Sequence, residues 1–203
     1  MGLYPYNHKF GQKIQTDIDV LAIDRSFLAH MQIAADDAVV ADADGVLAAV
    51  TDTGEAQEIT EELTNPAVPR NITATAGGTA TDIKAIQVII EGTNYNDEVI
   101  TETLPAFTEN TAGIVTGNKA FKTVTKITIP AHDGTGATTA VGFGSKFGLP
   151  YKLSHNTVLN AYLDNALEGT APTVAVSATA VESNTIALNS TLDSKVVDIY
   201  LMV

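Results

Sequence analysis

Chemistry in this chain would have to start from its histidines, carboxylates and hydroxyls. There are four histidines, His8, His30, His132 and His155. No two of them stand three or four residues apart, so no helix face presents a zinc pair. His132-Asp133-Gly134 reads as a loop and Ser154-His155 as the approach to a helix. A Ser–His–Asp site could still assemble in space, because such sites are defined by geometry and not by order. The sequence marks no nucleophile for one, since it has no G-x-S-x-G elbow. Acidic pairs recur at Asp36-Asp37, Glu61-Glu62 and Asp97-Glu98, which makes each of them uninformative. A glycosidase needs two carboxylates converging in a cleft with pKa values pushed apart. Aromatic side chains to line a sugar groove are sparse, with 6 Phe, 6 Tyr and no Trp.

Asp42-Ala43-Asp44-Gly45 looks like a fragment of a calcium loop, but a full loop needs about five oxygen ligands over about twelve residues. Val40 stands where the first acidic ligand belongs, and Asp52 and Glu55 fit no standard register. The segment is expected to be a solvated hairpin turn. Gly142-Phe143-Gly144-Ser145-Lys146 has neither phosphate-loop spacing and reads as a glycine-permitted strand end. With Cys 0, disulfides, thiolate catalysis and thiolate-held metals are excluded. These readings assign no catalytic residue, metal or cofactor, and the expectation is a protein that is not an enzyme.

The elements that would position any such group are strands. Ala and Thr are the commonest residues, and Thr, Val and Ile favour a pleated, half-buried surface. Short apolar runs are separated by Asp44-Gly45, Thr53-Gly54, Gly77-Gly78, Gly92-Thr93-Asn94, Thr116-Gly117-Asn118 and Asp133-Gly134. That rhythm predicts a mainly β fold, a β-sandwich or barrel-like domain with at most one short helix. The length suffices for one substantial core or two small ones. Residues 20–65 read as an acidic region of short strands, in which 38–41 and 46–50 flank the Asp42–Gly45 turn and 55–62 is a strand or one helical turn. Asn65-Pro66 marks a boundary. Residues 66–203 form the sandwich-like domain. Ile83 to Ile90 is apolar enough to be buried on both faces. In 98–104, Ile100, Glu102 and Leu104 share one face, while Val99, Thr101 and Thr103 share the other. In 119–129, Phe121, Ile127 and Ile129 lie on a face with Thr123 and Thr125, and Lys122, Lys126 and Thr128 lie opposite around Val124. Asn156 to Ala166 is the helix candidate, with Val158, Leu159, Tyr162 and Leu163 at helical spacing, Asn156 as N-cap and Gly169 as terminator. Strands are expected over 173–181 and 184–188. The closing run 195–203 is apolar enough to require pairing inside a sheet.

The net charge of −13 is concentrated early, with 12 acidic and 3 basic side chains in residues 1–65. Nucleic-acid binding needs clustered Lys and Arg, so a nucleic-acid partner is not expected. No apolar run approaches the ~20 residues of a membrane span, and no secretory signal is readable at the start. Residues 1–19 show no periodicity and read as an extended arm. Three aromatics there, Tyr4, Tyr6 and Phe10, are costly to leave in water, and Lys9 and Lys13 add a basic pair. The five are the candidate partner-binding residues, able to wrap a partner and anchor on an acidic patch.

From residue 66 onward the phrasing resembles a family. The carriers are Pro69-Arg70-Asn71-Ile72-Thr73, Glu98-Val99-Ile100-Thr101-Glu102-Thr103-Leu104 and Gly117-Asn118-Lys119-Ala120-Phe121-Lys122-Thr123-Val124-Thr125. Phe147-Gly148-Leu149-Pro150-Tyr151, Ala171-Pro172-Thr173-Val174 and Glu182-Ser183-Asn184-Thr185 complete the set. Together they resemble virion structural proteins of tailed bacteriophages, most of all head decoration (auxiliary capsid or cement) proteins. The resemblance implies a protein on the outer capsid surface of the virion that binds the major capsid protein lattice and stabilises it. It further implies a homo-oligomer, a trimer around local three-fold sites. Tail-tube, neck and host-adhesion proteins are the alternatives, and a virion cell-wall hydrolase is a more distant one.

Overall fold

The computed structural model describes residues 26–203, and the arm residues Tyr4, Tyr6, Lys9, Phe10 and Lys13 lie outside them. The fold is mainly β: strands account for 48% of it, about twice the ordinary share, and the sheets are curled. Among the described residues the helical content is two single 3-10 turns, Ala80–Asp82 and Val181–Ser183. No helix there is long and apolar enough to cross a membrane.

The strands in chain order are β1 (Leu28–Ile33), β2 (Asp42–Thr51), β3 (Gln57–Ile59), β4 (Arg70–Gly78), β5 (Ile89–Thr93), β6 (Val99–Thr103) and β7 (Gly113–Phe121). They continue with β8 (Thr123–Ile129), β9 (Ala137–Gly148), β10 (Val158–Leu163), β11 (Ala166–Leu167), β12 (Thr173–Ala175), β13 (Thr185–Ala187) and β14 (Val197–Met202). They form three sheets, ordered β1-β14-β10-β11, β12-β13-β9-β4-β7 with β2 also on β9, and β3-β8-β5-β6. The strands of the acidic region are thus woven into later ones: β1 pairs β14, β2 pairs β9 and β3 pairs β8. The apolar C-terminal run does lie inside a sheet, with β14 held between β1 and β10.

The expected helix over 156–166 is a strand instead. Val158, Leu159, Tyr162 and Leu163 fit a helix stripe, but they fit equally a strand with one extra residue. The register shifts between Val158 and Asn160, so Leu159 bulges outward while Ala161 and Leu163 point inward to burial. Asp164 and Asn165 then take φ of 50° and 60° and close a two-residue hairpin onto β11, where Leu163 faces Ala166. Asn156, expected as an N-cap, accepts the Val158 N–H on its own Oδ1 at 3.0 Å.

Four other expectations shift. Asp42–Gly45 is not a hairpin turn but the opening of β2, kept in line by Asp42 opposite Phe143 and Leu47 opposite Val141. Ile83 to Val88 is not regular strand. It runs beside 104–110, with the carbonyls of Ile83, Ile86 and Val88 accepting from Asn110, Phe107 and Leu104, and regular pairing starts at Ile89. Val124 is buried although its parity points outward, because β8 carries a bulge: Val124 faces Gly92 and Lys126 faces Glu91, leaving Thr125 extra. The alternation of β6 holds, with Ile100 buried and Val99, Thr101 and Thr103 exposed. Gly142 to Lys146 lies within β9 and not at its end. A Cβ on Gly142 would sit 1.9 Å from the Asp42 carbonyl oxygen, so the β2 approach requires glycine there.

Two apolar cores result. One gathers Ile72, Ile83, Val88, Ile90, Leu104, Phe121, Ile127 and Val141 between the β4/β9 and β5/β8 sheets. The other gathers Ile33, Phe147, Leu149, Leu163, Ile186, Val197, Ile199 and Leu201 under the β1/β14/β10 sheet. Arg70 sits at their junction, 1% exposed. Its guanidinium lies 4.7 Å from the Phe143 ring centre and 5.0 Å from that of Phe147, one ring packing on each core. Nη1 donates to the Val39 carbonyl at 2.8 Å, whereas Nε and Nη2 are buried without a partner in the protein. Burial lowers its pKa to about 10, so the site holds the charge at a cost and the slot is held by stacking. Arg70→Met, which fills the slot without a charge, is therefore expected to stay within about 1.5 kcal/mol of the parent. Arg70→Ala, which empties it, should lose about 2–5 kcal/mol. Urea unfolding with both midpoints and slopes measured checks the pair, and equal losses in the two variants would contradict this account.

Candidate functional site

The outer face of the β1/β14/β10 sheet collects a connected group of functional side chains. Strand alternation puts every second residue of each strand on this face while Val197, Ile199 and Leu201 point into the core. The register then builds two cross-strand rows. His30 faces Tyr200, which faces Asn160; Gln32 faces Asp198, which faces Tyr162. Neighbours of this kind are close enough for direct contact.

The contacts are specific. His30 Nε2 lies 2.7 Å from Asp198 Oδ1, and Gln32 Nε2 donates to the same oxygen at 2.9 Å. The His30 ring stacks on Tyr200 with centres 4.6 Å apart and planes 8° from parallel. Tyr162 meets Tyr200 edge to face at 5.9 Å and 85°. Tyr162, Asn165, Asp198 and Tyr200 line a recess of about 210 Å³. Asn165 stands in the positive-φ hairpin that joins β10 to β11. Exposed Leu28, Leu159 and Leu167 belong to the strands of the same sheet. The group offers oriented acceptors, amides and aromatic faces, which is the equipment of recognition.

Among the described residues the histidines do not join a Ser–His–Asp set. His30 pairs with Asp198, while the exposed His155 accepts or donates at 3.0 Å with Ser154 Oγ, so the two halves of such a site fall on different residues. His132 is structural. It is 6% exposed, accepts the Lys84 N–H on Nδ1 at 3.1 Å, and bonds Thr139 Oγ1 through Nε2 at 3.0 Å. Its own N–H donates to Asp52 Oδ1 at 2.9 Å, and Phe107 stacks on its ring. His8 lies outside the described residues.

The acidic pairs are dispersed. Asp97 holds Lys122 at 2.7 Å, Glu98 accepts from Asn94 at 2.8 Å, and Glu61 and Glu62 are exposed. Asp42 and Asp44 do approach each other, and the hydrogen bond and repulsion from Asp42 raise the Asp44 pKa. Among the described residues no group of three or more His, Asp or Glu is placed to hold a metal ion. Glu102 has a more defined task. Its carboxylate accepts the N–H of Asn118 at 2.7 Å and of Lys119 at 3.3 Å, bracing β7, and burial raises its pKa against those bonds.

Sequence reasoning named His30 only as one of four histidines and did not single out Asp198, Tyr162 or Tyr200. The available signal was the alternation of 197–202, which places Asp198, Tyr200 and Met202 on one side. No family model, curated protein or solved structure matches this chain.

His132 yields a prediction about pH. Burial lowers its pKa below the ordinary 6.5, so the unfolded chain binds the proton more readily than the folded one. Stability is then fully present above about pH 6.5 and falls as pH drops toward the lowered value. Protonation also turns Nδ1 into a donor aimed at the Lys84 N–H. Melting temperature should decline below about pH 6.5, and His132→Gln should flatten that part of the profile while lowering it at neutral pH. A profile of unchanged slope in the variant would assign the decline elsewhere.

Proposed function

We propose that this chain works by binding and not by catalysis, as a structural virion protein of the head-decoration type that fastens to the outside of an assembled capsid and stabilises it. The observation that carries the binding part is the outer face of the β1/β14/β10 sheet, an aromatic and polar platform built from three strands. Its β1 side is also where the N-terminal segment joins, since Phe27 exchanges both backbone hydrogen bonds with Val203, at 2.8 and 2.9 Å. The decoration part is supported by the resemblance of the 66–203 region and by the mainly β fold. A trimer on a capsid lattice is the assembly this reading expects.

Stabilisation would act by mass action, since a protein that binds only the assembled lattice shifts the equilibrium toward it. Particles lacking this chain should therefore break at lower temperature than decorated ones, and adding the purified protein back should restore the difference. Particles that break alike with and without it would remove the stabilising role. Copies per particle separate decoration from the neck or tail reading, because a surface lattice demands many more copies than a ring.

A further inference from the structure

We infer that the recess between Tyr162, Tyr200, Asn165 and Asp198 receives a basic side chain, Arg or Lys, from a partner protein. Both donors that reach the Asp198 carboxylate, His30 and Gln32, arrive on Oδ1. They hold the side chain in place, and Asp198 is among the residues that line the recess. The Asp198 side chain is only 12% exposed, and burying a carboxylate without a charge partner is costly. Elsewhere in the described structure three carboxylates pair with lysines: Asp133 with Lys84, Asp97 with Lys122, Glu91 with Lys126. Among the described residues no Lys or Arg comes within ion-pair distance of Asp198, whose one recorded pairing is with His30. Asp198 is thus paired with a histidine, which carries charge only when protonated, and with no Lys or Arg of the described residues.

The walls suit a cation. Tyrosine faces attract ammonium and guanidinium groups, and Tyr162 and Tyr200 both line the recess. A carboxylate oxygen at the base adds a charge-assisted hydrogen bond. Asn165 supplies an amide at the rim for the backbone of an incoming segment. The net charge of −13 favours encounter with basic surfaces. This assignment does not depend on the partner being a capsid lattice.

The test is a titration of the isotope-labelled full chain with Nα-acetyl-arginine methylamide at constant ionic strength, followed by backbone amide shifts. Methyl β-glucoside serves as the neutral, hydroxyl-rich comparison. The expected result is saturation at Tyr162, Asn165, Asp198 and Tyr200, with a dissociation constant on the order of 1–10 mM. Asp198→Asn keeps the acceptor for His30 and Gln32 but removes the charge, and should weaken binding roughly tenfold or more. Tyr162→Leu should weaken it several-fold and decides alone if the first variant does not fold. Undiminished binding in the folded variants overturns the inference. So does saturation by the glucoside without the arginine probe, or shifts spread over surface carboxylates without saturation at the recess. No particle is present in this experiment, so its failure leaves the virion reading standing, and failure of particle binding leaves this one standing.

Discussion

The two halves of this protein are joined around a single buried cation. Arg70 is sandwiched between Phe143 and Phe147, which stand four residues apart on β9. The β4–β9 register shifts between them, with Arg70 opposite Phe147 and Ile72 opposite Phe143, and the guanidinium spans both rings. One ring belongs to the core under the β5/β8 sheet and the other to the core under the β1/β14/β10 sheet. Through Nη1 the same side chain ties down the Val39 carbonyl, at the point where the chain leaves the C-terminal sheet for β2. Shifting Arg70 would loosen both cores and the crossing between them. The arrangement costs desolvation, visible in the lowered pKa, and aromatic stacking offsets part of that cost.

Irregular backbone elsewhere is held by buried amides acting in place of missing ladder bonds. Asn71 is fully buried and fills the bulge between β4, β7 and β9, donating to the Gly117 carbonyl and accepting the Lys146 N–H. Gly144 has no side chain because Asn71 occupies that space, an added Cβ lying 2.5 Å from its amide nitrogen. Asn184 accepts the N–H groups of Leu153 and Ser177 and donates to the Ser177 and Ala180 carbonyls. Asn94 accepts those of Asn96 and Glu98. An amide carries both donors and acceptors on one rigid plane, so a single buried Asn can satisfy a turn that no regular strand could cross. These residues explain how short strands and long irregular segments share one well-packed interior.

The platform on the outer face follows from the same logic. The inward residues of β14 are fixed by the core, which forces Asp198 and Tyr200 outward, and the registers of β1 and β10 then decide their neighbours. The Leu159 bulge resets β10 by one residue, so that Tyr162 falls opposite Asp198 and Leu163 points inward. Without it the tyrosine and the leucine would exchange faces. The recess, the binding role proposed for the face and the fold of the C-terminal sheet therefore share one structural cause.

What the sequence determined by itself was composition and local alternation. The β class, the split faces of 99–103, the enclosed C-terminal strand and the impossibility of thiol chemistry are all legible, because each depends on residue type at a spacing of two or on a residue being absent. The structure alone decided where alternation breaks. A bulge adds one residue and reverses the phase, and nothing local distinguishes Val158 to Leu163 as a bulged strand from a helical stripe. The same holds for Val124, turned inward by the extra Thr125, and for Asp42 to Gly45, drawn into β2 by the pairing with β9. The candidate site was still further from view. His30 and Asp198 are 168 residues apart, and their contact exists only because β1 and β14 pair in one register. Long-range pairing is chosen by the summed burial of whole strands, and no short window of residues carries that sum.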